Sequence, residues 1–223
     1  MRTFFLAVLF VWTMGVGTLR AAACSAGPGV WNEGDAGQGD AGRKLGTANV
    51  TIGVGSLTTI CGNISQTDGT GVDLYEIMIV GTTFTATATD RGASTLDPML
   101  YLFDENGKAL FANDNNGGQT TDSQIFTNSI TPGLYFLAIA PAGQEGLNKN
   151  DQLLFPVTGS TTTITPSSTP KVLKDWNDGG GNTSGRYIVS LDGASFAQEA
   201  PEPATFPIAA AALLALAALR RRV

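Results

Sequence analysis

The ionisable side chains set the first limits on the chemistry that this chain can perform. Its 223 residues include 19 acidic residues, 13 basic residues, two cysteines and no histidine. Without histidine the chain cannot build a Ser-His-Asp or Cys-His nucleophile system, a His-Glu-x-x-His zinc site or any other His-ligated metal centre. A formal charge of −6 and a pI near 4.5 disfavour binding to the phosphate backbone of a nucleic acid. The sequence therefore predicts that the protein is not an enzyme and has no nucleic-acid partner.

Carboxylates are the remaining candidates for catalysis, because a pair of Asp or Glu side chains can hydrolyse glycosides. Most of the acids, such as Asp104 and Asp175, stand instead at predicted turns, where acidic side chains cap the backbone and remain solvated. The segment Asp68-Gly69-Thr70 has the wrong order for an aspartic-protease motif, which requires Asp-Thr/Ser-Gly, and it occurs once. We predict no catalytic residue.

Acidic and amide oxygens are also ligands for calcium, a hard cation that takes several oxygen atoms. Asp114 stands between Asn113 and Asn115 and is one such candidate, although the chain contains no full EF-hand loop. Solvated acidic turns are the alternative interpretation. We therefore expect that the chain binds either no cofactor or calcium.

The N-terminus has the pattern of a secretory signal peptide. Met1-Arg2 precedes an apolar run from Phe4 to Leu19, and small residues follow at Ala21 and Ala23, so we expect cleavage after Ala23. A first transmembrane helix is the alternative, but threonine and glycine interrupt the run and no strong stop-transfer charges follow. A lipoprotein signal with Cys24 as the modified residue is a weaker alternative, because Ala21 stands where such signals prefer leucine.

Export would place the two cysteines, Cys24 and Cys61, in an oxidising compartment. A disulfide between them would tie the glycine-rich leader to the first strands, with a stabilisation on the order of 3–4 kcal/mol in the chain-entropy model. Two free thiols are the alternative that the spacing leaves open.

The C-terminus combines three features in order: Pro201-Glu202-Pro203, an apolar run from Ile208 to Leu219 that follows Ala204-Thr205-Phe206-Pro207, and the cluster Arg220, Arg221 and Arg222. As a helix the segment from Ala204 to Leu219 would be about 24 Å long, so it barely spans a hydrocarbon core of roughly 30 Å. The arginines would remain on the cytoplasmic side and leave the body of the protein outside. Such a marginal, alanine-rich segment suits either a permanent anchor or a tail that is held briefly and then cut.

This trio resembles the PEP-CTERM sorting signal of Gram-negative bacteria, over about residues 200–223. The resemblance implies that Pro201, Glu202 and Pro203 are recognised by exosortase, a membrane-embedded cysteine protease or transpeptidase. It also implies that the chain resides in the inner membrane transiently and then reaches the cell surface or the extracellular matrix. Pro207, near the start of the helix, departs from the pattern and shortens the apolar span.

Between the two ends the chain consists of short β-prone runs separated by turns. Thr82–Thr89 alternates threonine with apolar residues, and Asn106-Gly107 is a hairpin signature. This spacing predicts an all-β fold, an antiparallel β-sandwich of about eight to ten strands. The predicted strands are Asn49–Val54, Leu57–Cys61, Val72–Val80, Thr82–Thr89, Pro98–Phe103, Lys108–Ala112, Ser123–Ile130, Leu134–Ala140 and Arg186–Leu191.

Five regions follow from these patterns. They are a signal peptide (1–23), a leader rich in glycine and acids (24–46), the β-sandwich (47–196), a linker with the Pro-Glu-Pro motif (197–203) and a transmembrane sorting tail with the arginine cluster (204–223). The leader repeats itself, since Gly34-Asp35-Ala36-Gly37 is echoed by Gly39-Asp40-Ala41-Gly42.

The strands resemble those of the bacterial pre-peptidase C-terminal domain, a jelly-roll-like β-sandwich found in secreted proteases and in exported non-enzymes. The resemblance covers about Trp31 to Phe196 and rests on Asp73-Leu74-Tyr75, Leu96–Gly107, Asn113-Asp114-Asn115 and Gly133–Leu137. It implies a jelly-roll-like sandwich flanked by an N-terminal signal helix and a C-terminal transmembrane helix.

The same resemblance implies a calcium site. Related domains of secreted collagenases bind calcium through an acidic N-terminal linker and loop acids, so Glu33 and Asp35 correspond to the linker and Asp73 contributes a further ligand. Gly71 stands where the family has the first Asp of an Asp-Val-Asp strand, and this weakens a ligand role at that position.

Two classes of function follow. In the first, the chain is a non-catalytic exported protein whose sandwich serves adhesion, matrix assembly or carbohydrate or protein binding, with extracellular polysaccharide as a partner. In the second, it is a secreted hydrolase or a protease accessory module. The lack of histidine and of a separate catalytic domain favours the first class. Trp31 and Trp176 either stack on sugars or pack the ends of the sandwich.

Overall fold

The computed structural model describes residues 24–65, 71–91, 95–117, 121–155, 162–167, 171–177 and 184–200. The predicted signal peptide with Ala21 and Ala23, the Pro-Glu-Pro motif and the tail with its arginine cluster lie outside these residues. Among the residues described, no helix is long and apolar enough to cross a bilayer.

The described chain folds as β-strands, with two short 3-10 turns at Asp35–Gly37 and Leu45–Thr47. The strands are Val30–Asn32 (β1), Asn49–Val50 (β2), Ile52–Gly53 (β3), Thr59–Ile64 (β4), Asp73–Ile79 (β5), Phe84–Asp90 (β6), Pro98–Asp104 (β7), Ala109–Asn113 (β8), Ser123–Thr127 (β9), Gly133–Pro141 (β10), Gly146–Leu147 (β11), Asp175–Trp176 (β12), Gly185–Asp192 (β13), Ala194–Phe196 (β14) and Gln198–Glu199 (β15). The predicted all-β class is confirmed.

Two sheets form the body of the fold. Sheet A has the strand order β1-β4-β13-β6-β9, and sheet B has the order β14-β5-β10-β7-β8, with β2 also paired to β5. The pairings among the longer strands are antiparallel, as predicted. The pairs β1–β4, β2–β5 and β15–β3 are parallel, and each involves a strand of three residues or fewer. Strands β1 and β15 were not predicted, whereas β2 and β3 lie within the predicted strand Asn49–Val54.

The main core lies between the inward faces of the two sheets. Alternation places Phe84, Ala86 and Ala88 of β6 inside, and the intervening threonines lie half-buried on the other face. The leader takes part in this core, because Trp31 and Ala41 are buried in the same cluster. Burial of alternating apolar side chains is the main favourable contribution to a sandwich of this kind.

A second core covers the outer face of sheet B. Met99, Tyr101 and Phe103 point outward from β7 and pack against Phe155 and Trp176, which come from the loop-rich segment after β10. This second layer explains why β7 is apolar on both faces. Trp31 and Trp176 are 2% and 3% exposed, so both pack within the fold and neither is available to stack on a sugar.

Candidate metal centre

Three carboxylates meet where the leader crosses the sandwich. Glu33 directly follows β1, Asp40 lies further along the leader, and Asp73 is the first residue of β5. One carboxylate oxygen from each lies within 4.8 Å of the others. We call Glu33, Asp40 and Asp73 the leader cluster; Asp73 is buried, Glu33 is half-buried and Asp40 is exposed, so the cluster opens to solvent on the side of Asp40.

Backbone donors fix Glu33 in place. Its Oε1 accepts the N–H of Ala41 and its Oε2 accepts the N–H of Asn63, each at 2.9 Å, while its own N–H donates to the carbonyl of Cys61 at 2.8 Å. These bonds continue the parallel register of β1 on β4, in which Asn32 lies opposite Cys61. Each oxygen of Glu33 thus accepts one backbone N–H, and the side chain also interacts with that of Asp40.

A disulfide pins the start of the leader to the same strand. The structure joins Cys24 to Cys61 with their Cα atoms 6.0 Å apart, and the Cys24 N–H donates to the Asn32 side chain at 3.1 Å. The leader is thus held on β4 by a covalent bond as well as by backbone pairing.

Two buried tyrosines lie beside Asp73, and one of them donates a hydrogen bond to it. The Tyr187 hydroxyl donates to Asp73 Oδ2 at 2.6 Å and lies 2.7 Å from the Tyr75 hydroxyl. Burial raises the pKa of both tyrosines well above the ordinary value, so both hydroxyls keep their protons. Gly62 of β4 makes room for this pair, because a Cβ atom there would overlap the Tyr187 hydroxyl.

The electrostatics of the leader cluster favour a bound cation or a proton. Burial raises the pKa of Glu33 from 4.5 to about 7, against the opposing effect of the Ala41 and Asn63 N–H groups, and the nearby Asp40 raises it further. Three carboxylates this close repel one another when all are ionised. A bound divalent ion would relieve that repulsion, as would protonation of Glu33.

The donor set is made of hard oxygen atoms, and its spacing fits calcium. Calcium–oxygen distances of about 2.3–2.6 Å put ligands on opposite sides of the ion up to about 5 Å apart, which accommodates the 4.8 Å limit of this cluster. Asn49 is 2% exposed and its Nδ2 donates to the Asp40 carbonyl at 3.5 Å, while its buried Oδ1 has no hydrogen-bond partner among the residues described. The Asn49 amide thus contacts the backbone of Asp40, and its oxygen is a hard donor.

Two of the four residues predicted as calcium ligands lie elsewhere. Asp35 binds the end of β1, since its Oδ2 accepts the Asn32 N–H at 2.9 Å. Asp114 lies instead near Asp97 and Glu145, and burial followed by the charge of Asp114 raises the pKa of both of those carboxyls. Asn113 is engaged there as well, because its Oδ1 accepts the Gln124 N–H at 2.8 Å.

Asp40 is the ligand candidate that the sequence did not predict. The two Gly-Asp-Ala-Gly copies of the leader are equivalent as sequence. The fold uses the second copy at the cluster, whereas the aspartate of the first accepts the Asn32 N–H. The Ala41 N–H, in the residue directly after Asp40, donates to Glu33 Oε1, and this contact holds the second copy at the cluster.

Comparisons with models of known families and with curated proteins give no match for this chain.

Proposed function

We propose that this chain is a non-catalytic exported bacterial protein that its C-terminal tail sorts to the cell surface or the extracellular matrix. The observation that carries the proposal is the ordered C-terminal trio, in which Pro-Glu-Pro, an apolar run of marginal length and three arginines follow one another. The disulfide between Cys24 and Cys61 supports it, because such bonds persist in oxidising compartments outside the cytoplasm. Exosortase is the proposed processing partner, and the inner membrane holds the chain transiently.

The sandwich resembles the pre-peptidase C-terminal domain, and we assign it an adhesive or binding role. Extracellular polysaccharide or matrix protein is the proposed ligand. The alternative is an accessory module of a secreted hydrolase or protease. A pull-down of the mature protein with surface polysaccharide discriminates them: specific retention supports the matrix role, and turnover of glycans or peptides supports the alternative.

The leader cluster is the proposed calcium site. Glu33, Asp40 and Asp73 would hold the ion, with the amide oxygen of Asn49 as a further ligand, and the ion would serve structure rather than catalysis. Two features support it: the carboxylate spacing and the buried Asn49 oxygen that lacks a hydrogen-bond partner among the described residues. When bound, calcium would offset most of the negative charge of the cluster and join the leader to β5 of sheet B through Asp73.

Urea unfolding of the mature protein tests the calcium site. Calcium at 100 times its dissociation constant should raise the free energy of unfolding by about 2.7 kcal/mol. Asp73→Asn should remove this gain, because it deletes a ligand charge. Asp35→Asn is the matched control and should keep the gain, since Asp35 is an acid of the same leader that lies outside the cluster. An equal loss in both variants, or no effect of calcium on the wild type, would refute the site.

Mass spectrometry of the surface form tests the sorting proposal. The mature chain should end near Pro201–Ala204 and lack the arginine cluster. Glu202→Ala should leave export intact and strand the uncut chain in the membrane. Glu199→Ala is the matched control, because Glu199 is an exposed neighbouring acid outside the motif. Normal processing of the Glu202→Ala variant would show that the motif is not the recognition element.

A further inference from the structure

Most of the basic residues of the fold are gathered on one side of it. The described residues include eight lysines and arginines, and six of these lie on or beside the loops that cover the outer face of sheet B. We call these six the basic face: Arg43, Lys44, Lys108, Lys149, Lys171 and Lys174. The same loops and strands contain four acids, which are Asp104, Glu105, Asp151 and Asp175. The other described residues include two basic and twelve acidic side chains, so positive charge is in excess only on the basic face.

A central segment of this face, residues 171–175, pairs with the β7–β8 hairpin. Lys108 and Val172 form an antiparallel bridge, and the Leu173 N–H donates to the Gly107 carbonyl at 2.9 Å. Side chains that lie opposite each other in such a bridge share one face of a sheet. Lys108 and Val172 are exposed, whereas Leu173 is buried in the second core. The lysine therefore lies on the solvent side of the cover.

The same segment pairs with β11 on its other side. The Lys174 N–H donates to the Leu147 carbonyl at 2.8 Å, and Leu147 lies opposite Asp175. Lys149 follows two residues later, in a turn that the buried Asn148 side chain closes by accepting backbone N–H groups. Both lysines are exposed. Backbone pairing on two sides thus gathers the lysines around one short segment.

The leader adds the remaining two basic residues. Arg43 Nη2 donates to Asp175 Oδ1 at 2.6 Å, and Lys44 Nζ lies 4.0 Å from Asp175 Oδ2. Trp176 Nε1 donates to the Arg43 carbonyl at 2.7 Å, so a buried indole fixes this part of the leader. The Arg43 side chain thus serves the fold, whereas the side chain of Lys44 is 59% exposed.

The acids nearby leave most of these lysines available. Lys108, Lys149 and Lys171 form no ion pair among the residues described. Lys174 Nζ lies 3.5 Å from Asp151 Oδ1, but both side chains are largely exposed. Exposed pairs of this kind are weak, so a carboxylate from a partner can replace that of Asp151. The basic face therefore offers several ammonium groups to an anionic partner.

The backbone pairing indicates what kind of anion fits. Residues 171–175 are hydrogen-bonded on both sides, and further along β8 the Ala112 and Ile164 backbones bond to each other at 3.0 and 2.8 Å. A peptide strand therefore cannot add to this described part of the sheet, and side chains must make the contacts. Lysine carries a mobile point charge and lacks the rigid fork with which arginine binds one anion in a fixed geometry. Dispersed lysines of this kind suit a polymer that repeats its negative charge along the chain.

We propose that the basic face binds an anionic polysaccharide of the extracellular matrix through its lysine side chains. The inference rests on the proposed function, because it names the ligand class of the binding role assigned to the sandwich. The acidic remainder of the fold repels the same polymer, so the charge distribution determines which side of the sandwich meets the matrix. Val172, which is 43% exposed beside Lys108, adds an apolar contact for the C–H face of a sugar ring.

Affinity measurements with polygalacturonate, which carries one carboxylate per sugar, test the proposal. A chelator is present throughout, so that calcium cannot bridge the polymer to the acids of the leader cluster. The mature protein should bind at low salt and should lose its affinity as the ionic strength rises from about 0.01 M to about 1 M, because the screening length falls from about 30 Å to about 3 Å. Dextran, a neutral polysaccharide, should bind at least about tenfold more weakly at low salt.

Two double variants with the same change in net charge separate the basic face from the rest of the surface. At an ionic strength of about 0.15 M, Lys108→Gln/Lys149→Gln should weaken binding about fivefold, because each exposed ion pair contributes little. Arg91→Gln/Arg186→Gln is the matched control. These exposed arginines lie at sheet A, so the control should change the affinity by less than about twofold.

Each outcome supports or overturns a stated point. If the protein binds neither polysaccharide, the proposed polysaccharide-binding role fails. If dextran binds as tightly as polygalacturonate, or if both double variants weaken binding equally, only the basic face is refuted. Tighter binding to polyglutamate than to polygalacturonate would overturn the proposal in favour of an acidic protein partner. In the wild type, tetragalacturonate should shift the NMR signals of the Val172 and Lys174 amides, and shifts confined to other residues would refute the site.

Discussion

The molecule contains two groups of carboxylates, and they differ in their support. Glu33, Asp40 and Asp73 form the leader cluster, in which backbone N–H groups, a buried tyrosine and the nearby disulfide hold the side chains. Asp97, Asp114 and Glu145 form the second group, which lies where β7 begins, where β8 ends and in the turn after β10. Burial raises the pKa of carboxyls in both groups.

The difference shows that a raised pKa does not by itself make a site. Within the described part of the chain, only the leader cluster brings three ligand oxygens within 4.8 Å. In the second group, Asp97 Oδ1 is buried with no hydrogen-bond partner among the residues described, so its burial is not compensated by a donor. Fixed elements around the carboxylates, rather than their number, distinguish the two groups.

Removal of the disulfide should have the largest effect, and the effect should be confined to the region of the leader cluster. The bond closes a loop between residues 37 apart, so replacing both Cys24 and Cys61 with serine should lower the free energy of unfolding by about 4 kcal/mol in the chain-entropy model. Urea unfolding followed by fluorescence measures the loss. The pKa values of Asp97 and Glu145 should stay unchanged, because they lie outside the stapled region. A loss below about 1 kcal/mol would mean that the pairing of β1 with β4 suffices without the bond.

A change of pH in the absence of calcium should have the next largest effect on the free energy of unfolding, through Glu33. Its pKa in the folded protein is about 7, above the ordinary value of 4.5, so the folded state binds the proton more tightly than the unfolded state. The resulting stability is fully present below pH 4.5 and is lost as the pH rises to 7, by at most about 3 kcal/mol. Chemical unfolding in a chelator measures this slope, and Glu33→Gln should flatten it. If the free energy of unfolding of the variant falls with pH as steeply as that of the wild type, groups other than Glu33 cause the slope.

Removing one tyrosine hydroxyl near each group of carboxylates should cause a smaller loss of stability, and the loss should be larger at the leader cluster. Tyr187→Phe removes a donor to the Asp73 carboxylate and should cost about 1.5–3 kcal/mol, because hydrogen bonds to charged groups are the stronger kind. Tyr101→Phe removes a donor to the Gln144 carbonyl, a neutral acceptor near the second group, and should cost about 0.5–1.5 kcal/mol. Unfolding experiments on both variants test this order, and equal costs would contradict it.

Asp114→Asn should have the smallest effect and should be confined to its own group. Loss of its charge should lower the pKa values of Asp97 and Glu145 towards their ordinary range, since Asp114 contributes to raising both. The pKa of Glu33 should not respond. Titration of the side-chain carboxyls by NMR measures all three, and a shift at Glu33 would mean that the two groups are coupled.

The sequence predicts the fold better than it predicts the site, and particular residues show why. The alternation in Thr82–Thr89 and the Asn106-Gly107 turn are local signals, and the structure has β6 and a β7–β8 hairpin at these places. The leader cluster instead depends on contacts between distant residues, such as Glu33 with Asn63 and Tyr187 with Asp73. No local pattern distinguishes Asp40 from Asp35. The sequence does not predict the cover of sheet B for the same reason. Phe155 comes from an irregular segment and Trp176 from the two-residue strand β12, and neither segment has a periodic pattern.

The central position of β13 determines when the domain can complete its fold as the chain emerges. Sheet A needs Gly185–Asp192 between β4 and β6, yet the last residue of β6 precedes the first residue of β13 by 95 residues. A chain delivered N-terminus first, from a ribosome or an export channel, therefore presents β4 and β6 with unpaired edges long before their shared partner arrives. Such edges are prone to pair with the wrong strand, and pairings across so long a separation form slowly. Folding of this chain is thus a late event, and a factor that shields the early strands should raise the yield of native protein more than one that acts after release.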